Sequence, residues 1–203
     1  MGNLPKALGW GAAALAGAAC FSVSATSYAD AAETLRPSTR SAWYAAGIGP
    51  SIGVVGCGGG GCSNFGAISQ FQFTNEIGWH FSGDGSGPAI GGIVLLGFSS
   101  YAFATAIRFS PQFKFWWDIP VVKKYAIYLT PGVSGGYGLF SGATGFGSSV
   151  AHFFSTQATF AGRLVIKDRG IVFFQPVTID VAANGDGALI SYNIIAGGGV
   201  TFP

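Results

Sequence analysis

Charge is what this chain has least of. Only 9% of its 203 residues are Asp, Glu, Lys or Arg, against roughly 25% in an ordinary soluble domain. A soluble β protein of this length needs more charge than that on its wet face. A net charge of +2, scattered along the chain, is too small to suggest a nucleic-acid partner. Two histidines and three cysteines leave little material for acid–base or metal chemistry, and nothing in the pattern requires a cofactor. No helical pattern follows the first residues. What the chain has in excess is glycine, 34 residues, and aromatics, 15%.

Residues 1–31 read as a secretory signal peptide. Lys6 precedes an apolar Ala/Leu/Gly run from Ala7 to Ala19, and small residues follow before a cut. Two cleavage sites fit, Ser27-Tyr28-Ala29 and Ala29-Asp30-Ala31. The run is shorter than the roughly 20 apolar residues a spanning helix needs. Cys20 follows Gly17-Ala18-Ala19 and so resembles a lipoprotein cleavage box only loosely. Residues 32–41 then form a short N-terminal segment, and 42–203 make one domain.

The domain is organised around Ala104 to Asp118. Ile107, Phe109, Pro111, Phe113, Phe115 and Trp117 occupy the odd positions, while Arg108, Ser110, Gln112, Lys114 and Asp118 occupy even ones. Successive side chains of a strand point to opposite faces, so this is one strand with an oily face and a charged face. Seven further stretches are expected to be strands, near 43–55, 65–81, 89–98, 125–137, 151–165, 171–181 and 189–202. In the second, Phe71, Phe73, Ile77 and Trp79 alternate with Gln70, Gln72, Glu76 and His80. In the sixth, Phe154, Ala158, Phe160 and Leu164 oppose Ser155, Gln157, Thr159 and Arg163. The seventh opposes Ile171, Phe173, Val177 and Ile179 to Thr178 and Asp180, with Gln175 as a polar misfit. The third is apolar on both sides. Strands of about 9 to 11 residues suffice for a tilted bilayer crossing.

The connections alternate in character. Cys57 and Cys62 flank four glycines, and in a secreted chain that spacing points to a disulfide across the loop tip; two thiols lack the remaining ligands of a structural zinc site. Residues 138–150 are expected to form a long loop, Lys167-Asp168-Arg169-Gly170 a tight charged turn, and Asn184-Gly185-Asp186-Gly187 a hairpin loop. Pro50, Pro111, Pro131 and Pro176 fall inside strands, where each must mark a bulge, a strand end or a broken pairing.

Six charges lie on strands: Glu76, Arg108, Lys114, Asp118, Arg163 and Asp180. Each falls opposite its strand's apolar row, and three acids balance three bases. An outward Arg or Lys at a bilayer midplane would cost roughly 2 to 4 kcal/mol, so the oily face is assigned outward and the polar face inward. A lipocalin-like soluble barrel, apolar inside, is the structural alternative. In hydrocarbon an open sheet edge leaves backbone groups unpaired, so the sheet must close.

This pattern resembles the eight-stranded bacterial outer-membrane barrels, the class of the OmpA transmembrane domain and OmpX-like proteins, over about residues 42–203. The resemblance implies a closed antiparallel up-and-down transmembrane β-barrel in the outer membrane of a Gram-negative bacterium. It implies membrane lipids and the assembly machinery as partners, with Phe202 as the terminal aromatic of the assembly signal, although Pro203 departs from that pattern. It also places both chain ends in the periplasm, together with the turns at 82–87, 119–124 and 167–170, and the cysteine loop outside.

Eight strands enclose just enough room for side chains. The expected interior is therefore a filled polar network of Glu76, Arg108, Lys114, Asp118, Arg163 and Asp180 with Gln70, Gln72, Gln112 and Gln157, and the expected role is structural or surface interaction. A narrow, porin-like path for ions or solutes is the alternative. A lipid-modifying enzyme is the other class, and would need a serine, a histidine and an acid near the outer rim. His152 with Ser148 and Ser149 comes nearest, but its register points it to lipid; His80 reads as an interfacial residue.

Overall fold

A computed structural model describes residues 40–58, 61–63, 69–83, 85–101, 104–144 and 147–202. The strands are β1 (Ala42–Gly58), β2 (Gly61–Ser63), β3 (Ser69–His80), β4 (Gly87–Tyr101), β5 (Ala104–Val122), β6 (Ile127–Thr144), β7 (Gly147–Ile166), β8 (Gly170–Asn184) and β9 (Gly187–Phe202). β2 is a three-residue stub that folds back on the end of β1. The eight long strands pair antiparallel in sequence order, and β1 pairs with β9 from Ala42↔Phe202 to Gly58↔Gly187. That last ladder closes the barrel and leaves no open edge in its wall. Among the described residues no helix is long and apolar enough to cross a membrane.

The two-residue period fixes the faces. Along β5 every odd residue from Ile107 to Ile119 is exposed on the outer wall, and every even residue from Arg108 to Asp118 is buried inside. The same alternation runs through β3 and β7 as their sequences require. It is the reverse of a soluble ligand-binding barrel, whose wall is polar outside and apolar within. β4, which has no sequence register of its own, is set by its neighbours: Ile93↔Gln112 and Leu95↔Ser110 put both aliphatics inside.

Three expectations need correction. Residues 138–150 do not form a long loop, because β6 runs to Thr144 and β7 begins at Gly147. The strand expected near 89–98 does not turn at Ser99 and Ser100 but carries both in β4, which ends at Tyr101. In β8 the expected faces hold only after Pro176. Ile171 and Phe173 point inward with Gln175, whereas Val177 and Ile179 point outward. The cause is one extra residue between Gln175 and Thr178, which shifts register against both neighbours. Gln175 is thus no misfit but the last residue of the earlier phase. Proline cannot donate to a ladder, and a bulge removes the demand; the Pro176 carbonyl accepts the Tyr192 hydroxyl.

The other three prolines leave register intact. The ladder from β1 to β9 skips Gly49 and Pro50, that from β5 to β6 skips Ser110 and Pro111, and that from β6 to β5 skips Thr130 and Pro131. Each proline therefore sits in a locally broken pairing.

The short connections follow their residues. Lys167 and Asp168 both take positive φ, 52° and 56°, as a tight hairpin turn demands. Asn184 Oδ1 accepts from the Asp186 and Gly187 amides at 3.0 and 2.9 Å, a side chain standing in for a backbone turn. The expected signal peptide at 1–31 and the side chains of Cys57 and Cys62 lie outside the described residues. The backbone pairs Cys57 directly opposite Cys62.

Candidate functional site

The interior is built around β5, which supplies one member of each buried ion pair. Arg108 meets Asp180 on β8, Lys114 meets Glu76 on β3, and Asp118 meets Arg163 on β7. All six charged side chains are buried. Even positions of one strand face the lumen, and spacings of six and four residues put the three charges at different heights, roughly 20 and 13 Å apart along the strand. Three acids thus find three bases, one to one.

Toward the end opposite the termini, Arg108 donates through both terminal nitrogens to the Asp180 carboxylate, and through Nη2 to Ser155 at 2.7 Å. Ser155 in turn donates to Asp180 at 3.0 Å, and the Gln112 amide donates to Ser155 at 2.7 Å while accepting from Ser134 at 2.6 Å. The Phe153 ring lies 5.0 Å from the Arg108 guanidinium carbon. Fixed partners of this kind are what let buried charges stay in a low-dielectric interior.

Toward the termini the interior changes character. Asp118 accepts from Arg163 at 2.7 Å, from Thr130, from the Trp116 indole at 3.3 Å, and contacts His80 Nε2. Arg163 also donates to the Gly85 carbonyl at 3.0 Å. Its guanidinium lies between two rings, 5.5 Å from Trp43 and 5.1 Å from Tyr128. Trp43 and Trp116 meet edge to face at 5.3 Å. Trp116 fits because residue 78 is glycine: a Cβ there would stand 2.1 Å from its ring. Val165, Ile171, Phe173 and Ile195 complete an apolar cluster at this end, two of them turned inward by the Pro176 bulge.

A void of about 20 Å³ lies here, between Trp43, Lys114, Trp116, Arg163 and Gln175. It is large enough for one water. Trp43 Nε1 and Arg163 Nε have no protein partner in the structure.

Every expected interior residue faces the lumen: Gln70, Gln72, Gln112 and Gln157 are buried with the six charges. Gln72 Oε1 and Gln157 Nε2 nevertheless find no protein partner, and neither do both amide atoms of Asn193. Two features went unread in the sequence. His80 is not interfacial but buried beside Asp118 and Arg163; its even position, in phase with Glu76, was the available signal. The apolar cluster was also missed, because the bulge that turns Ile171 and Phe173 inward leaves only a proline as its mark.

His152 lies on the outer wall, paired with the Tyr137 hydroxyl; the side chains of Ser148 and Ser149 lie outside the described residues. Among the described residues no three His, Cys, Asp or Glu side chains are placed to hold a metal. Phe202 is exposed on the outer wall and pairs with Ala42.

No family model matches this sequence, and no curated protein matches it. Solved structures do. The chain is similar to the Neisserial surface protein A (NspA), with a TM-score of 0.62 and 9% identity over 79% of this chain and 97% of that one. It is also similar to Ail, the attachment invasion locus protein of Yersinia pestis, crystallised with the heparin analogue sucrose octasulfate. That match has a TM-score of 0.50 and 11% identity over 80% of this chain and 99% of that one. The fold is therefore the eight-stranded closed antiparallel barrel of bacterial outer-membrane proteins.

Proposed function

We propose that this protein is an outer-membrane barrel that seals its own interior and acts as a structural or surface-interaction element of the envelope. One observation carries the reading. The lumen near the termini is filled by a stack of Trp43, Arg163 and Tyr128, backed by Trp116 and Phe173. Around it runs an outer wall of exposed aromatic and aliphatic side chains such as Phe71, Phe113 and Trp117, suited to lipid and unsuited to water.

On this reading the leader is removed, the termini face the periplasm, and Phe202 serves the assembly machinery. The Cys57 and Cys62 loop faces outward, where an oxidising environment favours a disulfide between cross-strand neighbours. The test is a planar-bilayer recording of barrel that shows heat-modifiable migration. Folded protein with no single-channel steps supports the sealed reading.

A narrow pore is the second reading, and the unpartnered amides of Gln72, Gln157 and Asn193 favour it. Polar atoms without protein partners call for water at mid-barrel. Conductance steps that change in Arg108→Ala would replace the sealed reading with this one.

A further inference from the structure

Outside the lumen, every Lys and Arg from residue 40 onward lies at one end of the barrel. Lys123 and Lys124 belong to the β5–β6 turn, Lys167 and Arg169 to the β7–β8 turn, and Arg40 reaches the Thr201 carbonyl beside the paired chain ends. At the opposite end the sequence between strands, residues 59–68, 102–103, 145–146 and 185–186, has no Lys or Arg and one acid, Asp186. We propose that the β5–β6 and β7–β8 turns form a patch that selects anionic phospholipid headgroups, in the leaflet at the end where Ala42 pairs with Phe202. The proposal rests on the reading above that the outer wall faces lipid.

Strand order sets the two turns side by side. β5, β6, β7 and β8 are consecutive in the wall, so the turns lie about two strand spacings apart, roughly 10 Å. The Val165 amide donates to the Ala126 carbonyl at 3.1 Å, which ties the end of one turn to the strand that enters the other. Lys123, Lys167 and Arg169 are exposed. The acid between the last two, Asp168, stands 3.8 Å from Arg40. That pair balances itself, and the patch keeps the charges of Lys123, Lys124, Lys167 and Arg169.

The level of the patch decides the partner. Val121 is 60% exposed and Tyr125 43% exposed on either side of Lys123, so the apolar wall runs up to the cations without a polar step between. A lysine stem lies along such a surface and lifts its ammonium to the headgroup layer. Tyrosine beside it is a side chain that interfaces favour. Each Lys or Arg near an anionic lipid surface strengthens attraction by about fivefold. A zwitterionic lipid carries its own cation next to the phosphate and gains less.

The experiment folds the barrel into phosphatidylcholine bilayers and adds a trace of spin-labelled phosphatidylglycerol or spin-labelled phosphatidylcholine. The motionally restricted fraction in the electron spin resonance spectrum reports which lipid occupies the wall. At low salt phosphatidylglycerol is expected to associate about two- to threefold more strongly over the whole boundary shell, since only lipids beside the two turns gain. The preference should fall to near parity in 1 M salt, where the Debye length is about 3 Å. It should fall likewise when Lys123→Gln, Lys124→Gln, Lys167→Asn and Arg169→Gln are combined. Asparagine suits position 167 because φ there is 52°, a conformation it tolerates. The salt comparison uses the parent barrel and needs no variant to fold.

Equal association of the two lipids in the parent would hand the patch to a soluble acidic partner and overturn the proposal. A preference that survives 1 M salt, or survives in the folded variant, overturns it as well. Absence of any restricted lipid, of either kind, overturns the lipid-facing wall itself and this proposal with it.

Discussion

Arg163 and Asp118 meet at 2.7 Å across the lumen, one on β7 and one on β5, both buried. Asp118 also holds Thr130, Trp116 and His80, so its loss strands a guanidinium and several donors together. Asp118→Ala is expected to cost about 3 to 5 kcal/mol, the usual penalty for an abandoned buried charge. Replacing both members, as Asp118→Leu with Arg163→Met, should recover most of that. Urea unfolding followed by the heat-modifiable band measures the difference; equal losses in the single and double variants would show that the charges are not paired energetically.

The outer wall makes a second prediction. Phe113 is 62% exposed on the outer face of β5. Phe113→Arg should therefore destabilise the membrane-inserted barrel by about 2 to 4 kcal/mol, while Phe113→Leu changes it little. Unfolding titrations in lipid vesicles give the comparison, and a tolerated arginine would place residue 113 in water.

Glycines give a third. A Cβ at Gly78 would collide with Trp116, whereas a Cβ at Gly162 meets nothing within 4 Å. Gly78→Ala should cost about 1 to 3 kcal/mol through forced repacking, with Gly162→Ala near neutral. The same urea midpoints decide it.

The Pro176 bulge gives a fourth. Deleting Pro176 removes the extra residue and returns β8 to one phase. Ile171 and Phe173 must then turn outward, or Thr178 and Asp180 must leave the lumen. Either outcome breaks the interior, so the variant should lose heat-modifiable folding. A deletion that folds as stably as the parent would mean the bulge does not set the face of β8.

Much of this was legible in the sequence because side-chain period and charge placement are local. That Arg108, Lys114 and Asp118 share one face was legible from β5 alone; that this face is the inner one needed the charges of the other strands as well. Who pairs with whom was not legible: the partners lie 38 and 72 residues away for Lys114 and Arg108, and only strand order and shear bring them together. His80 shows the same limit, since its role depends on Asp118 and Arg163, on two other strands. The loop at 138–150 was overestimated because glycine and serine read as turn residues, yet the β6–β7 ladder continues through them. Phe173 was misplaced because register counted from Asp180 slips at Pro176.

The central claim is that an apolar wall faces lipid around a filled interior, and two adjacent tryptophans test it. Trp116 is 1% exposed and Trp117 is 50% exposed, on opposite faces of one strand. Two variants, each retaining only one of them with phenylalanine at the other tryptophan positions, are folded into vesicles carrying brominated acyl chains. Strong quenching of Trp117 with little quenching of Trp116 is the predicted result. Equal quenching of the two, or quenching of Trp116 alone, contradicts the account.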